Sequence, residues 1–467
     1  AGVSWRIYQD MADNFTDNPA AGFQAFRDSL HGAAGSDPRL AAEGLSTFKL
    51  DRLKADVADG RLPQVSHVVA PAAASEHPDP SSPAQGADFT AKVIDALTSN
   101  PKVWAKTVLL VMFDENDGFF DHVPPPAPPG RDATGALAGG STVDTAGEYH
   151  LIETPADKWW NRPDLMGRAY GLGPRVPMYV VSPWSRGGWV SSEVFDHTSV
   201  IRFLETRFGV TEPNISAWRR AVCGDLTRCF DFRTPNARAF ARSLPATAET
   251  ASRAAALPKK VRPPTPATPE APVQAAGTRP SRALPYAPEA ALRVQGDRAE
   301  IKFRNDGASA VVLHAYDRRR LALGPRRYTV GPGKALDGTW ALDDGAYDLW
   351  ILGPNGFHRG FRGTAADGLD VGLAVRDGRL VLSLASETGG RALIVQNAYA
   401  KGSWKPLAGP TPVERAWPLK ASGGWYDLIV TDPARPGLLR RLAGRAETGR
   451  DSISDPLMGG PARMTWS

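Results

Sequence analysis

The chain has 467 residues, including 41 Pro and 46 Gly, with an apolar content of 42% and a net charge of +5 at pH 7. This length exceeds what one hydrophobic core usually organises, so we expect two or three domains joined by many loops and linkers. The charge forms no Lys/Arg block, which argues against a nucleic-acid-binding protein, and the absence of an apolar stretch of about 18 residues excludes a transmembrane helix.

Residues 1–245 alternate between helical and strand patterns, which is typical of an α/β domain. Apolar residues recur at helical spacing in 86–100 and again in 197–208, and each segment predicts an amphipathic helix. The continuously apolar segment 107–113 predicts a strand covered on both faces in a parallel or mixed sheet, and 177–183 predicts a second strand of this kind.

Residues 246–284 are rich in Pro, Ala and Thr, and we interpret them as a linker that is semi-extended where prolines cluster. Beyond this segment the hydrophobic period becomes two, as in a β-sandwich. The tail also repeats itself, because YDLWILGPNGFHRGFRG from Tyr347 parallels YDLIVTDPARPGLLRRLAG from Tyr426. We therefore predict two copies of a small all-β domain, at 285–367 and 368–467.

An acidic segment, Asp-Glu-Asn-Asp at 114–117, directly follows the first predicted strand. Ligands of open α/β sheets bind beyond the carboxyl ends of strands, and acidic oxygens there suit a hard divalent cation or a carboxylate that handles protons. A solvated acidic turn is the alternative.

Two known motifs that contain similar residues do not fit this segment. A calcium EF-hand does not fit, because loop positions one and twelve would be Phe113 and Pro124. A P-loop does not fit either, since G-x-x-x-x-G-K followed by Ser or Thr does not occur.

Three histidines lie in polar, loop-like settings, namely His77, His122 and His197. An imidazole there can contact a phosphoryl oxygen, donate a proton or bind a metal, whereas a plain loop histidine beside prolines is the alternative for His77. His122 and His197 each follow an Asp that could orient the ring. Because Asp196 and His197 stand where a helix begins, capping or buried hydrogen bonding is the favoured role for that pair.

Two further groups of side chains each admit two interpretations. Aromatic residues could form a cage for a quaternary ammonium group, but core or interface packing is the favoured role for Trp159, Trp160, Trp184 and Trp189. Cys223 and Cys229 could close a small disulfide loop or be two unrelated thiols, and the sequence leaves both open.

Three long segments, in this order, resemble the bacterial phosphocholine-preferring phospholipases C: APAAASEHPDPSSPAQGADF, VMFDENDGFFDHVPPP and PMYVVSPWSRGGWVSSEVFDHTSVIRFLETRFG. These enzymes belong to the phosphoesterase family, which includes certain acid phosphatases. The resemblance extends to the first residues, AGVSWRIYQDMADNFTDNP, and to both tail repeats, which are similar to the paired C-terminal domains of those phospholipases. It implies an alkaline-phosphatase-like α/β sheet with flanking helices, followed by two small β-sandwich domains.

The resemblance also implies roles for individual residues. Asp114 matches the metal-binding aspartate of the family, and Glu115 matches the adjacent acidic position near the transferred phosphoryl group. His77 matches a histidine that contacts this group or protonates the leaving group, which is diacylglycerol in a phospholipase C. A divalent metal ion of unknown identity and imidazoles would together offset charge on the phosphoryl oxygens.

The chain departs from the family pattern in one respect. Family members carry a Glu-Asn motif of the form E-N-R-S-F-D-H and a nucleophilic Thr or Ser upstream of the segment that matches Ala1 onwards, and neither is found here. On the resemblance, residues 1–245 are therefore expected to be the C-terminal part of the catalytic domain, and the chain alone is expected to be inactive. No signal peptide is present in the first residues, so we expect the export signal of a secreted or periplasmic protein to lie upstream.

The predicted function is hydrolysis of phosphatidylcholine, with sphingomyelin as a second candidate substrate, to diacylglycerol and phosphocholine through a metal-assisted phosphoenzyme. The expected partners are the phospholipid and, peripherally, the membrane surface, without nucleic acid. One alternative is a phosphomonoesterase of the same superfamily, similar to the acid phosphatases. Another is a catalytically silent module whose β domains bind a membrane or envelope surface.

Overall fold

The computed structural model describes residues 2–116, 121, 123–132, 134–151, 162–234, 245–258, 261–262, 264–268, 270, 273–387 and 389–461. The chain divides into two compact units. The first runs over 1–112, 178–186 and 231–270, and the second over 113–177, 187–230 and 271–467. No described helix is both long and apolar enough to cross a lipid bilayer.

The helices begin at residues that satisfy their free backbone N–H groups. Asp37, Asn100 and Ser216 accept such hydrogen bonds at the starts of α2, α5 and α7, and Asp196 and Ser199 form a capping box at α6. The two helices predicted from sequence are confirmed as α4 and α6. The bounds are α1 (Gln24–Leu30), α2 (Pro38–Gly44), α3 (Leu50–Ala58), α4 (Pro83–Thr98), α5 (Pro101–Trp104), α6 (His197–Phe208), α7 (Ala217–Val222) and α8 (Ala248–Ala255).

The strands are concentrated in the second half of the chain. Those before the tail are β1 (Trp5–Tyr8), β2 (Val65–Val68), β3 (Leu109–Met112), β4 (Gly130–Arg131), β5 (Leu137–Ser141), β6 (Met178–Val181), β7 (Val273–Gln274) and β8 (Pro280–Ser281). Those of the tail are β9 (Pro288–Gln295), β10 (Arg298–Asn305), β11 (Val311–Asp317), β12 (Arg326–Val330), β13 (Lys334–Ala341), β14 (Ala346–Leu352), β15 (His358–Thr364), β16 (Leu369–Arg376), β17 (Arg379–Ser386), β18 (Arg391–Ala392), β19 (Ile394–Asn397), β20 (Ser403–Trp404), β21 (Leu407–Ala408), β22 (Val413–Pro418), β23 (Trp425–Asp432), β24 (Arg435–Arg445), β25 (Ser452–Ile453) and β26 (Gly460–Pro461).

In the first unit, β1 pairs in parallel with β2, and α3 and α4 pack around a core of Tyr8, Leu53, Val57, Val93 and Leu97. The strand predicted at 107–113 is present as β3, but the expectation that it is covered on both faces was wrong. It pairs antiparallel with β6, and Met112 and Tyr179 are 40% and 60% exposed. Among the described strands β3 pairs with β6 alone, so this ribbon lacks the neighbours that would bury both faces.

The first unit also contains a helix inside the segment that we predicted to be a linker, semi-extended where prolines cluster. Helix α8 packs on α4, where Thr247 Oγ1 donates to Asp88 Oδ1 at 2.7 Å, and Ala251 is buried. Alanine, glutamate and arginine are strong helix formers, so 248–255 forms a helix before the prolines begin. The sequence analysis did not predict this helix, which lies before the prolines where an extended chain was expected.

In the second unit, the tail forms two β-sandwiches that share one long sheet, as the all-β prediction required. Among the described residues the strand order of this sheet is β20-β19-β23-β24-β15-β14-β11-β12-β5-β4. The sheets β13-β10-β9 and β16-β17-β22 complete the two sandwiches. One core includes Ile301, Phe303, Leu313, Val330, Leu349 and Ile351, and the other includes Leu382, Leu384, Val395, Leu428, Val430 and Leu442.

Candidate active site

The acidic segment follows a strand that is held by its partner strand β6. Strand β3 pairs with β6 in the register Leu109↔Val181, and Ser182 Oγ donates to the carbonyl of Thr107 at 2.9 Å. The chain then leaves the strand, and Asp114 and Glu115 are both exposed. Within the described part of the chain, neither carboxylate has a hydrogen-bond or ion-pair partner. Two exposed carboxylates therefore follow the end of a strand, which is where a ligand of an α/β sheet is expected.

His197 contacts the acidic segment from the start of α6. Its Nε2 lies 2.9 Å from the carbonyl oxygen of Phe113, the residue before Asp114. A carbonyl can only accept a hydrogen bond, so Nε2 of His197 carries a proton in this contact. The predicted capping role of Asp196 is confirmed, but the ring of His197 bonds from an exposed position and not from a buried one.

A buried ionic cluster holds the beginning of α6 in place. Arg219 of α7 donates to Asp196 Oδ2 at 2.6 Å and to Glu148 Oε1 at 3.0 Å, and a further N–H reaches the carbonyl of Gly171. Both carboxylates are almost inaccessible to solvent. Because Asp196 directly precedes His197, this cluster also fixes the histidine against the carbonyl of Phe113. No local pattern in the sequence points to Arg219, since its partners lie far away along the chain.

His77 lies in a tight loop before α4. Its N–H donates to Ser75 Oγ at 3.3 Å, and its carbonyl accepts from the N–H of Ser81 at 3.1 Å. The ring Nδ1 is 3.0 Å from the carbonyl oxygen of Asp79, so Nδ1 carries a proton and Nε2 is the nitrogen left for chemistry. A hydrogen bond from the N–H of Asp79 to Nδ1 would need the other tautomer, and that contact is longer, at 3.5 Å.

The residue before His77 is held in an unusual conformation. Glu76 has a φ of +70°, a left-handed geometry that costs a non-glycine residue roughly 1–3 kcal/mol. Its side chain lies against Gly86 in α4, where a Cβ would overlap Glu76 Oε1 and Cγ, and burial raises the pKa of Glu76. The glycine in the helix therefore makes room for the glutamate that precedes His77.

The predicted site residues belong to different units. His77 lies in the first unit and Asp114 and Glu115 lie in the second, and each is described within its own unit. Carboxylate oxygens are the ligands that hard divalent cations prefer, so Asp114 and Glu115 fit such an ion chemically. Nowhere in the described residues do three or more His, Cys, Asp or Glu come together as a metal site, so this pair is a partial ligand set.

The structure describes some of the remaining candidate residues from the sequence analysis. Asp117, His122, Trp159 and Trp160 lie outside the described residues. Trp184 packs on Phe232 with ring centroids 5.4 Å apart, and Trp189 lies 4.0 Å below the guanidinium of Arg282, so both have packing partners. Cys223 and Cys229 are free thiols.

Comparison with protein families gives two matches in chain order. The phosphoesterase family matches residues 1–211, which include His77, Asp114, Glu115 and His197. The bacterial phospholipase C C-terminal domain matches twice, at 280–364 and 368–445. The two matches of the second family fall on the two repeats seen in the tail.

Several curated proteins are similar to the chain over nearly all of its length. Non-hemolytic phospholipase C of Pseudomonas aeruginosa is 48% identical, with 98% of this chain and 67% of that protein covered. Non-hemolytic phospholipase C of Burkholderia pseudomallei is 41% identical, and hemolytic phospholipase C of Pseudomonas aeruginosa is 37% identical. Both of these comparisons cover 98% of this chain and 68% of the relative.

Proposed function

Since the chain belongs to the bacterial phospholipase C group of the phosphoesterase family, we propose that it hydrolyses phosphatidylcholine to diacylglycerol and phosphocholine. The observation that carries this proposal is the end-to-end similarity, because it includes the phosphoesterase region and a tail domain characteristic of phospholipases C. The phosphomonoesterase and silent-module alternatives are not favoured, since the similar proteins are named phospholipase C.

In this proposal Asp114 holds a divalent cation and Glu115 lies beside the phosphoryl group. The cation, when bound, offsets negative charge on the phosphoryl oxygens. The contact between His197 Nε2 and the carbonyl of Phe113 supports this assignment, because it restrains the backbone from which Asp114 projects. A ligand held by its backbone pays less conformational entropy when it binds a cation.

His77 is proposed to donate a proton to the glycerol oxygen as diacylglycerol departs. The Asp79 carbonyl retains the proton on Nδ1, so the imidazolium form presents its second proton on the exposed Nε2. Protonation of the leaving oxygen avoids expelling an alkoxide, which would be a poor leaving group. The same Nε2 can contact a phosphoryl oxygen before the transfer.

We further propose that the enzyme is secreted or periplasmic and acts peripherally at the membrane surface, with sphingomyelin as a second candidate substrate. The net charge of +5 supports attraction to anionic surfaces but is too small to anchor the protein by itself.

The test is a product assay on the full-length product of the gene, with phosphatidylcholine vesicles and added divalent cations. We expect release of phosphocholine and diacylglycerol, and we expect Asp114→Asn to abolish it. Asp95→Asn is the matched control, because Asp95 is an exposed carboxylate on the outer side of α4 and should leave turnover unchanged. If the main product is instead inorganic phosphate released from monoesters, the result would support the phosphomonoesterase alternative.

The 467-residue chain is assayed in parallel. Turnover by this chain would falsify the expectation that it is inactive alone.

A further inference from the structure

The two tail repeats meet edge to edge through β15 and β24. These strands pair antiparallel, with Gly360 opposite Arg441. When GFHRGFRG (356–363) is aligned with GLLRRLAG (437–444), Gly360 and Arg441 occupy the same position of the repeat. Equivalent residues opposite each other in an antiparallel pair require a local two-fold axis between them. The seam is thus built like the interface of a symmetric dimer.

Two buried arginines repeat the same symmetry in their hydrogen bonds. Arg359 of the first repeat donates to the hydroxyl of Tyr426 in the second at 3.0 Å, and Arg440 of the second donates to Tyr347 of the first at 2.5 Å. The two guanidinium groups also lie over the rings of these tyrosines. Each arginine therefore donates a hydrogen bond to a tyrosine hydroxyl in the other repeat.

The main-chain contacts of the two arginines are equivalent as well. Arg359 donates to the carbonyl of Ala443 at 2.9 Å, and Arg440 donates to the carbonyl of Arg362 at 2.7 Å. Ala443 and Arg362 occupy the same position of the repeat, so the contact crosses the seam in both directions. The two arginines are only 4% and 3% exposed. A buried guanidinium without its hydrogen-bond acceptors is strongly destabilising, so neither repeat can satisfy its arginine alone.

We propose that the tail is an internal two-fold dimer, in which each repeat is the binding partner of the other through β15, β24 and the exchanged Arg–Tyr pairs. The surface fits a second β-sandwich of the same repeat that carries an arginine and a tyrosine at the same positions. Without this partner, the edge of β15 would expose unpaired backbone groups next to an unsatisfied charge. The two repeats therefore unfold as one cooperative unit and not as two independent modules. This inference does not depend on the catalytic function.

The test uses hydrogen–deuterium exchange on the complete 467-residue chain. Leu428→Ala opens a cavity in the core of the second repeat, where Leu428 is fully buried, and should lower the protection of β23 amides at least about tenfold. Cooperative unfolding predicts the same fall for β11 amides in the first repeat. Loss of protection confined to the second repeat would overturn the proposal. If Leu428→Ala does not fold, Val430→Ala makes a smaller truncation in the same core.

A second measurement tests the arginines themselves. In the double variant Arg359→Met and Arg440→Met, the effect of Leu428→Ala on β11 should shrink, because the reciprocal contacts are gone. Two double-mutant cycles then compare the coupling free energies of unfolding, one for Arg359→Met with Tyr426→Phe and one for Arg440→Met with Tyr347→Phe. The symmetry predicts that these two coupling free energies agree within about twofold. Coupling in one cycle only would contradict the two-fold arrangement.

Discussion

Replacement of Glu193 by glutamine should stabilise the protein at neutral and alkaline pH. Glu193 precedes α6 and is only 9% exposed, and among the described residues its Oε2 has no hydrogen-bond partner. The other oxygen is 3.8 Å from Arg228 Nε, too far for a hydrogen bond. Burial raises the pKa of Glu193 to about 7, against the opposing effect of Arg228 and with a smaller contribution from Asp225. The folded environment therefore favours the protonated carboxyl group of Glu193 over the ionised carboxylate.

The sign and size of the effect follow from this shift. The folded state holds the proton more tightly than the unfolded chain, in which the glutamate has its ordinary pKa of 4.5. The free energy of unfolding therefore falls as pH rises from about 4.5 to about 7, and the fall from this group is at most about 3 kcal/mol. Glu193→Gln removes the ionisation, so this part of the pH dependence should disappear.

The assay is urea denaturation of the wild type and of Glu193→Gln at pH 4.5, 6 and 8. We expect similar midpoints at pH 4.5 and a higher midpoint for the variant at pH 8. Glu205→Gln is the control of opposite sign, because hydrogen bonds from Arg220 lower the pKa of Glu205 to about 2. That variant should lose stability at pH 8. Equal slopes of stability against pH for Glu193→Gln and the wild type would refute the reasoning.

Three further predictions concern the candidate site. Gly86→Ala places a Cβ against Glu76 and should displace the loop that carries His77. We expect kcat of the full-length enzyme to fall at least about tenfold while KM changes less, as measured by steady-state kinetics on phosphatidylcholine. An unchanged kcat would contradict this prediction. Arg219→Met leaves its two carboxylate partners buried and unpaired, and should lower the free energy of unfolding by about 3 kcal/mol in urea denaturation, whereas Arg39→Met at an exposed pair should change it little. Removal of divalent cations by a chelator should abolish turnover, and re-addition should restore it; turnover that survives chelation would exclude the proposed metal.

Much of the fold could be predicted from local patterns in the sequence. Helix α6 was predicted over 197–208 because its apolar face is periodic, and the structure shows that a capping box starts it and Gly209, with a φ of +66°, ends it. The repeat was visible because Tyr347 and Tyr426 begin the same pattern. Helix α8 was missed because the prolines that follow it dominated the composition of 246–284.

Contacts between distant residues could not be predicted in the same way. Arg359 and Arg440 look like ordinary surface arginines, and their burial depends on partners in the other repeat. The position of Asp114 after a strand was a local signal, but the contact of His197 with Phe113 joins segments 84 residues apart. Likewise, the space that Gly86 leaves for Glu76 becomes visible only when the loop is folded against α4.

The most direct test of the proposed function is phosphocholine release from phosphatidylcholine vesicles by the full-length enzyme and its Asp114→Asn variant. We predict cation-dependent release by the wild type and a loss of at least about 100-fold in the variant, with an unchanged unfolding midpoint. Wild-type turnover retained by Asp114→Asn would contradict the assignment of Asp114 as the metal ligand, and absence of phosphocholine release by the wild type would contradict the proposed function itself.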